Sequence, residues 1–592
     1  MSRATWRTCV GELLLHPVAP FLVGAVLVWF APRRVAQVAM IVAPIVALLQ
    51  LALLDAGTTV TLTYLGFELE PFRVDRLALA FGWVFAIAAL IGGIYGLTTL
   101  KGREPTSILA YAGAAMGVVF AGDLMTVFFF WEIKAVASSF VIFSRRGGNS
   151  NRAGTRYLFT HLVGGKLLLA GAIWQQSTTG SLAFDAMELS GGTMLILLAF
   201  LVSAAVPPLH AWLPDAYPEA SVAGTVFLSA FTTKSAVYAL ARGFPGLELL
   251  LWLGVMMAVY GVIYAMLEND IRRLLSYHIV SQVGFMVAAI GVGTEFAING
   301  AVAHAFAHIL YKGLLLMGVG AVIHATGRSK MTELGGLANS MRSVFTLYMV
   351  GAVSISSLPL FSGFVSKEMS VAATSAEGFT VAVILLKVVS VGTFLSTGLK
   401  LPFGTWFASD GAGPRDAAAH PRLRVGPVPM SMFIAMGIGA GLNLLIGVYP
   451  AVLYDLMPHT VDYVPYSVDK VIEKLQILGF TGLGFWILID RLQAKAKINR
   501  DVDWLYRRLP KILMGRPTPP RGPDETAPSE SAWTARGDVQ RAGRSIALAQ
   551  GRLEGRLPAI RGSEPPLYPT WVLGAVLMST ILLLLVLTLA TT

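Results

Sequence analysis

Apolar stretches close to twenty residues long recur along this chain, and that recurrence limits its fold more than any other feature. In α-helix, a stretch of that length crosses the hydrocarbon core of a bilayer. Hydrocarbon offers backbone N–H and C=O groups no partner, so a crossing segment must satisfy its own hydrogen bonds. About sixteen spans are expected on that basis, centred on 17–31, 35–54, 76–98, 106–122, 124–143, 156–176, 192–213, 221–241, 249–267, 274–292, 296–323, 343–366, 376–399, 428–449, 474–491 and 569–588. The composition agrees: 55% of the 592 residues are hydrophobic and 13% charged, outside the range of soluble domains. The expected class is all-α, a polytopic membrane protein of about 14–16 transmembrane helices.

The net charge of +11 is distributed by loop. Arg33 and Arg34, Lys101 and Arg103, and the basic residues within 145–156, 272–273, 328–342, 415–424 and 491–562 occupy alternate loops, while the intervening loops are acidic or neutral. The positive-inside rule makes the basic loops cytoplasmic and puts both termini outside. The charge therefore implies no affinity for nucleic acid. The single cysteine, Cys9, excludes a disulfide framework and a protein-ligated iron–sulfur cluster in this chain. No cleavable signal peptide is expected, because no small-residue cleavage site precedes the first span.

Two spans carry helix breakers at mid-depth. In LVSAAVPPLHAWLPD (201–215), Pro207 and Pro208 interrupt the hydrogen-bond ladder; in SISSLPLFSGFVSK (354–367), Pro359 and Gly363 do so. Broken helices survive at this depth only when buried in protein or lining a cavity. Each break falls fourth in a run of five helices, which points to an internal repeat with a site near the midplane.

Ionisable residues inside the spans mark an ion or proton path by default. His304, His308 and Lys312 follow one another at intervals of four. On a helix they drift only ~40° per step and climb in steps of ~6 Å, a spacing suited to a relay bridged by single waters. Glu132, Lys166, Lys234 and Lys367 are the other candidates, with Glu368 beside the second break. Burial penalises the charged form of such groups, which suits them to load and release protons. His210 lies within the first break and is a candidate for the water path, whereas His161 and His278 read as satisfied structural histidines. Lys387 reads as snorkelling to the interface. No GxGxxG, P-loop or HExxH pattern occurs, so neither a bound cofactor nor a metal site is expected.

GDLMTVFFFWE, VPPLHAWLPDAYPEA, TTKSAVYALAR, ENDIRRLLSYHIVSQVGFM, HAFAHILYKGLLLMGVG and LPLFSGFVSKE resemble the antiporter-like subunits of proton-translocating machines. These are the A and D subunits of Mrp-type cation/proton antiporters and the L, M and N subunits of complex I, and the wording is most similar to the Mrp D subunit. The resemblance covers roughly residues 100–450. It implies two inverted five-helix repeats, each with a broken helix and a half-channel, joined by a hydrated axis of charged residues. By the same resemblance Glu132 is the acidic switch, Lys234 the eighth-helix lysine, His304, His308 and Lys312 the central-to-exit relay, and Lys367 the terminal lysine. The chain departs from the pattern at Ser203, where the family usually carries the lysine that pairs with the glutamate. Two readings stand: Lys166 substitutes as the partner of Glu132, or this half is inactive or gated differently.

The resemblance implies a subunit that is not a catalyst on its own but moves protons in a Mrp-type Na⁺ or K⁺/proton antiporter. The alternative is the pump module of a complex I-like, membrane-bound hydrogenase-like or inorganic-carbon-uptake complex. Its partners would be other hydrophobic subunits and lipid, in a bacterial or archaeal cell membrane. The expected divisions are N-terminal helices (1–100), repeats at 101–245 and 246–405, C-terminal helices (406–492), a cytoplasmic interfacial strap and linker (493–563) and a final span (564–592).

Overall fold

The computed structural model describes residues 15–64, 66–408, 425–495, 501, 502 and 504. The chain divides into a unit of residues 1–500 and one of residues 501–592, and the fold described is that of the first. Cys9, the basic residues at 415–424, most of the 493–563 strap and the final span lie outside the described residues.

The helices are α1 Ala19–Phe30, α2 Arg33–Ala52, α3 Arg76–Gly96, α4 Glu104–Phe120, α5 Leu124–Phe143, α6 Gly148–Thr179, α7 Gly191–Ala204, α8 Val222–Gly243, α9 Glu248–Leu267, α10 Ile271–Val292, α11 Glu295–Thr326, α12 Arg342–Ile355, α13 Ser362–Ala376, α14 Thr380–Thr393, α15 Met430–Val448 and α16 Val468–Ile487. Every expected span up to residue 491 falls on one of these or on a broken pair. Among the described residues, nine helical segments are long and apolar enough to cross a membrane. The chain is an all-α, multi-pass membrane protein. Beyond α14 the chain continues in wider, π-type turns to Phe407.

One element was not expected from the sequence. β1 (Thr59–Tyr64) and β2 (Phe67–Arg73) form an antiparallel hairpin that pairs Val60 with Phe72 and Tyr64 with Phe67. It locks the start of α5: Glu70 N–H donates to the Asp123 carboxylate at 2.9 Å, and Asp123 caps the helix by accepting from Thr126 N–H at 2.8 Å. An N-cap carboxylate satisfies donors that the first turn leaves free.

Both expected breaks are present. α7 ends where Ala205 turns into the left-handed region (φ 62°), followed by a cis Pro207–Pro208 bond and a five-residue helix, Trp212–Ala216. The Trp212 indole N–H donates to the Val202 carbonyl at 2.9 Å, serving an acceptor near the end of the interrupted ladder. The second break is broader than the 343–366 span suggests: α12 stops at Ile355, and α13 runs on to Ala376. Asn443 Oδ1 accepts from Ser354 at 3.2 Å and Ser362 at 2.6 Å, tying both sides of the gap to α15. α11 lies between α3, α8, α10, α12, α13 and α15, almost entirely buried.

At Gly363 the backbones approach so closely that a Cβ would lie 1.8 Å from the Ser354 carbonyl oxygen. Gly363→Ala is therefore expected to destabilise the fold by about 1–3 kcal/mol through overpacking. A lowered thermal unfolding midpoint in detergent, with Gly437→Ala (no atom within 4 Å of its Cβ position) unaffected, is the result that checks it.

Candidate functional site

α11 supplies the centre of the site. His304, His308 and Lys312 are each fully buried, and the two imidazole centroids lie 6.2 Å apart. Tyr311 sits beside them, its ring 5.2 Å from that of His308 and its hydroxyl 3.4 Å from His304 Nε2. Gln282 Oε1 on α10 accepts from the same hydroxyl at 3.4 Å. Neither ring nitrogen of His308, nor Lys312 Nζ, has a hydrogen-bond partner among the described residues. The described side chains therefore offer no direct hydrogen-bonded route between the two imidazoles, and a bridging water would have to supply one.

Lysines from two other helices bracket this file. Lys234 on α8 donates to the Ser229 carbonyl at 2.8 Å and to Thr233 Oγ1 at 3.2 Å. It is close enough for its charge to act on His304, His308 and Lys312. Lys367 on α13 places Nζ 4.5 Å from the centroid of Phe285 and acts on His304. His278, read above as structural, and Lys400 lie beside the set. His278 Nε2 lies 2.6 Å from Ser396 Oγ in the π-type turns and feels Lys312, Lys367 and Lys400, while its Nδ1 has no partner among the described residues. Lys400 donates to the carbonyls of Met266 at 2.5 Å and Glu268 at 3.1 Å, at the end of α9. Their signal was an ionisable side chain in an apolar segment; only the packing of α10 against the π-type turns brings them together. Glu368 pairs with Lys474 at 2.5 Å. Lys387, expected to snorkel to the interface, pairs with the partly exposed Glu473 at 2.5 Å.

The first half is arranged around α5. Lys166 Nζ on α6 lies 3.4 Å from Glu132 Oε1, with the side chains 32% and 16% exposed. Gly165 makes the room, since a Cβ there would meet that oxygen at 1.9 Å. Ser203 is fully buried and bonded to His161 Nδ1 at 3.3 Å. His210, just past Pro207 and Pro208, packs edge-on to Tyr260 of α9 at 4.7 Å, so the first break touches the second half of the molecule. Pro359 and Gly363 lie at the second break, held by the Ser354–Ser362–Asn443 cluster.

The family described as NADH:quinone oxidoreductase/Mrp antiporter, transmembrane, matches residues 121–396. The N subunit of the NADH-quinone oxidoreductase of Desulforudis audaxviator is 31% identical over 52% of this chain and 67% of the relative. The chain belongs to this family. Within it, the D subunit of the Na(+)/H(+) antiporter of Alkalihalophilus pseudofirmus is 29% identical over 64% of this chain and 84% of its own length. The same fold occurs in the Mrp complex from Dietzia sp. DQ12-45-1b, with a TM-score of 0.64 at 23% identity over 80% of this chain and 97% of that one. The family match includes every lysine and histidine of the central file and ends before Lys400.

The Glu132–Lys166 geometry makes a stability prediction. Lys166→Met leaves a half-buried carboxylate without its cation and is expected to cost about 1–3 kcal/mol. Adding Glu132→Gln should recover most of that loss, because the two groups are coupled. Thermal unfolding of the two single variants and the double variant in detergent measures the coupling.

Proposed function

We propose that this antiporter-like membrane subunit translocates protons within a Mrp-type Na⁺ or K⁺/proton antiporter. The observation that carries the reading is the buried file His304–His308–Lys312, bracketed by Lys234 and Lys367 and short of hydrogen-bond partners. Burying unpaired ammonium and imidazole groups costs free energy, and such groups are kept at membrane depth where protons or ions must pass. In this reading protons move by water-bridged steps along α11, and the two helix breaks, with Pro207, Pro208, His210, Pro359 and Gly363, provide access from either side. Glu132 and Lys166 form the switch of the first half, with Lys166 in place of the lysine absent at Ser203. The repeats are inverted, the basic loops and the long 493–563 segment are cytoplasmic, and the membrane is that of a bacterial or archaeal cell.

Other hydrophobic subunits are the expected partners. Phe129 lies one turn before Glu132 on α5, and Phe159 and Val163 lie within two turns before Lys166 on α6, each more than half exposed, so an ion pair at hydrocarbon depth would face lipid unless a neighbouring subunit covered it. A second reading, the pump arm of a larger redox enzyme, is favoured by the NADH-quinone oxidoreductase relative. Mass spectrometry of the complex purified in mild detergent separates the two. Small membrane subunits without redox centres support the antiporter, and a soluble partner carrying flavin or iron–sulfur overturns it in favour of the pump.

His308→Ala and Lys312→Ala are expected to leave stable, assembled protein whose proton flux in vesicles falls about 100-fold. Loss of assembled protein in both variants would overturn the relay role in favour of a structural one.

A further inference from the structure

Lys134 lies two residues beyond Glu132, so the side chains leave α5 about 200° apart. Glu132 goes to the outer face. Lys134 goes inward and is 1% exposed. Its Nζ lies 3.4 Å from the centroid of the Trp131 ring and has no hydrogen-bond partner among the described residues. The ring offers an ammonium some attraction, but it cannot replace the acceptors that three N–H donors leave behind in water.

His161 on α6 shares this interior: Ser138, one turn beyond Lys134, bonds the Tyr157 hydroxyl, and the Tyr157 ring packs on that of His161. Its ring packs between Tyr157, at 4.3 Å, and Trp212 of the broken segment, at 4.5 Å. Nδ1 is held by Ser203, while Nε2 has no partner among the described residues. The same region holds a line of hydroxyls: Ser138 to Tyr157 at 2.9 Å, Tyr157 to Thr232 at 3.0 Å, and Thr232 to Tyr111 at 2.6 Å. Thr232 is followed on α8 by Thr233, which accepts from Lys234. A buried amine, an imidazole with a free nitrogen and a hydroxyl line leading to α8 are more than packing requires.

We propose that Lys134 and His161 are a second, interior proton-exchange pair of the first half, lying at the first helix break on the opposite face of α5 from Glu132 and Lys166. The proposal rests on the proton-translocating reading above and adds a carrier to it. With Nδ1–H donating to Ser203 Oγ, Nε2 is the acceptor. An Nζ–H bond of Lys134 breaks and an Nε2–H bond of His161 forms through a bridging water, leaving a neutral amine and an imidazolium. The proton then passes toward Lys234 along the hydroxyl line, and Lys134 is reloaded from water at the break.

The test uses the intact complex in vesicles, reading proton flux together with the amount of assembled protein. Lys134→Met is expected to lower flux by about 10- to 100-fold. Lys134→Arg keeps the charge and the contact with Trp131 but cannot release a proton, so it should fail equally. Ser203→Lys in the Lys134→Met background should restore flux, because residue 203 already reaches the same imidazole. Wild-type flux from Lys134→Arg would overturn the proposal by making the charge structural. So would wild-type flux from Lys134→Met while Lys312→Ala is inactive, which leaves the proposed function standing. If the unaltered complex moves no protons, the functional reading fails and this proposal falls with it. Should Lys134→Met not assemble, the Arg variant alone decides.

Discussion

The rest of the structure depends on a row of buried cations that carry no acid of their own. Lys134, Lys234, Lys312 and Lys367 are all but fully enclosed, and none forms a salt bridge among the described residues. An ammonium taken from water without a counter-ion costs several kcal/mol even after the protein relaxes. A chain whose only requirement was to cross a bilayer would carry leucine or methionine at these positions. The cost is tolerable only if water, backbone carbonyls or aromatic faces reach each group. A carbonyl serves Lys234 and aromatic faces serve Lys134 and Lys367, which leaves Lys312 to water.

The breaks follow from the same requirement. A continuous helix presents only side chains to the interior, whereas an interrupted one frees backbone groups and opens space. The two interruptions are secured by different chemistry. At the first, an indole N–H serves the Val202 carbonyl and Ser203 turns to His161; at the second, a serine–serine–asparagine cluster spans the gap. Each break is thereby fixed in place yet borders the titratable groups. The acids lie toward the margins: Glu132 on the outer face with Lys166, and Glu368 with Lys474.

Much of this was legible in the sequence because hydrocarbon imposes a simple grammar. Helix length, proline interruptions and the four-residue interval on α11 all translate directly, as does the lone cation Lys166 within an apolar stretch. Three features did not translate. β1 alternates threonine with apolar residues, a period-two signal, but the hairpin is a short loop between spans whose exposed first strand buries little. α13 extends past its expected end because serine, threonine and lysine lower its apolar character while its neighbours still bury it. The spacing of Lys134 and Glu132 correctly indicates that they do not face each other. Which of the two points inward depends on how α5 packs against α4 and α6, and one sequence does not contain that.

The central groups cannot be treated one at a time. His308 feels Lys234, Lys312, His304 and His278 together. Interacting sites of this kind exchange protons as a set, with titration steps that belong to the cluster rather than to any member. Like charges at close range also cannot all be present at once without large Coulomb cost. A proton arriving at Lys234 therefore alters the free energy of every group on α11 before any conformational change occurs. In the proposed relay, electrostatic reach couples the groups while bridging water carries the proton between rings 6.2 Å apart. The file also sits on a helix enclosed almost throughout, where bulk water screens such interactions little.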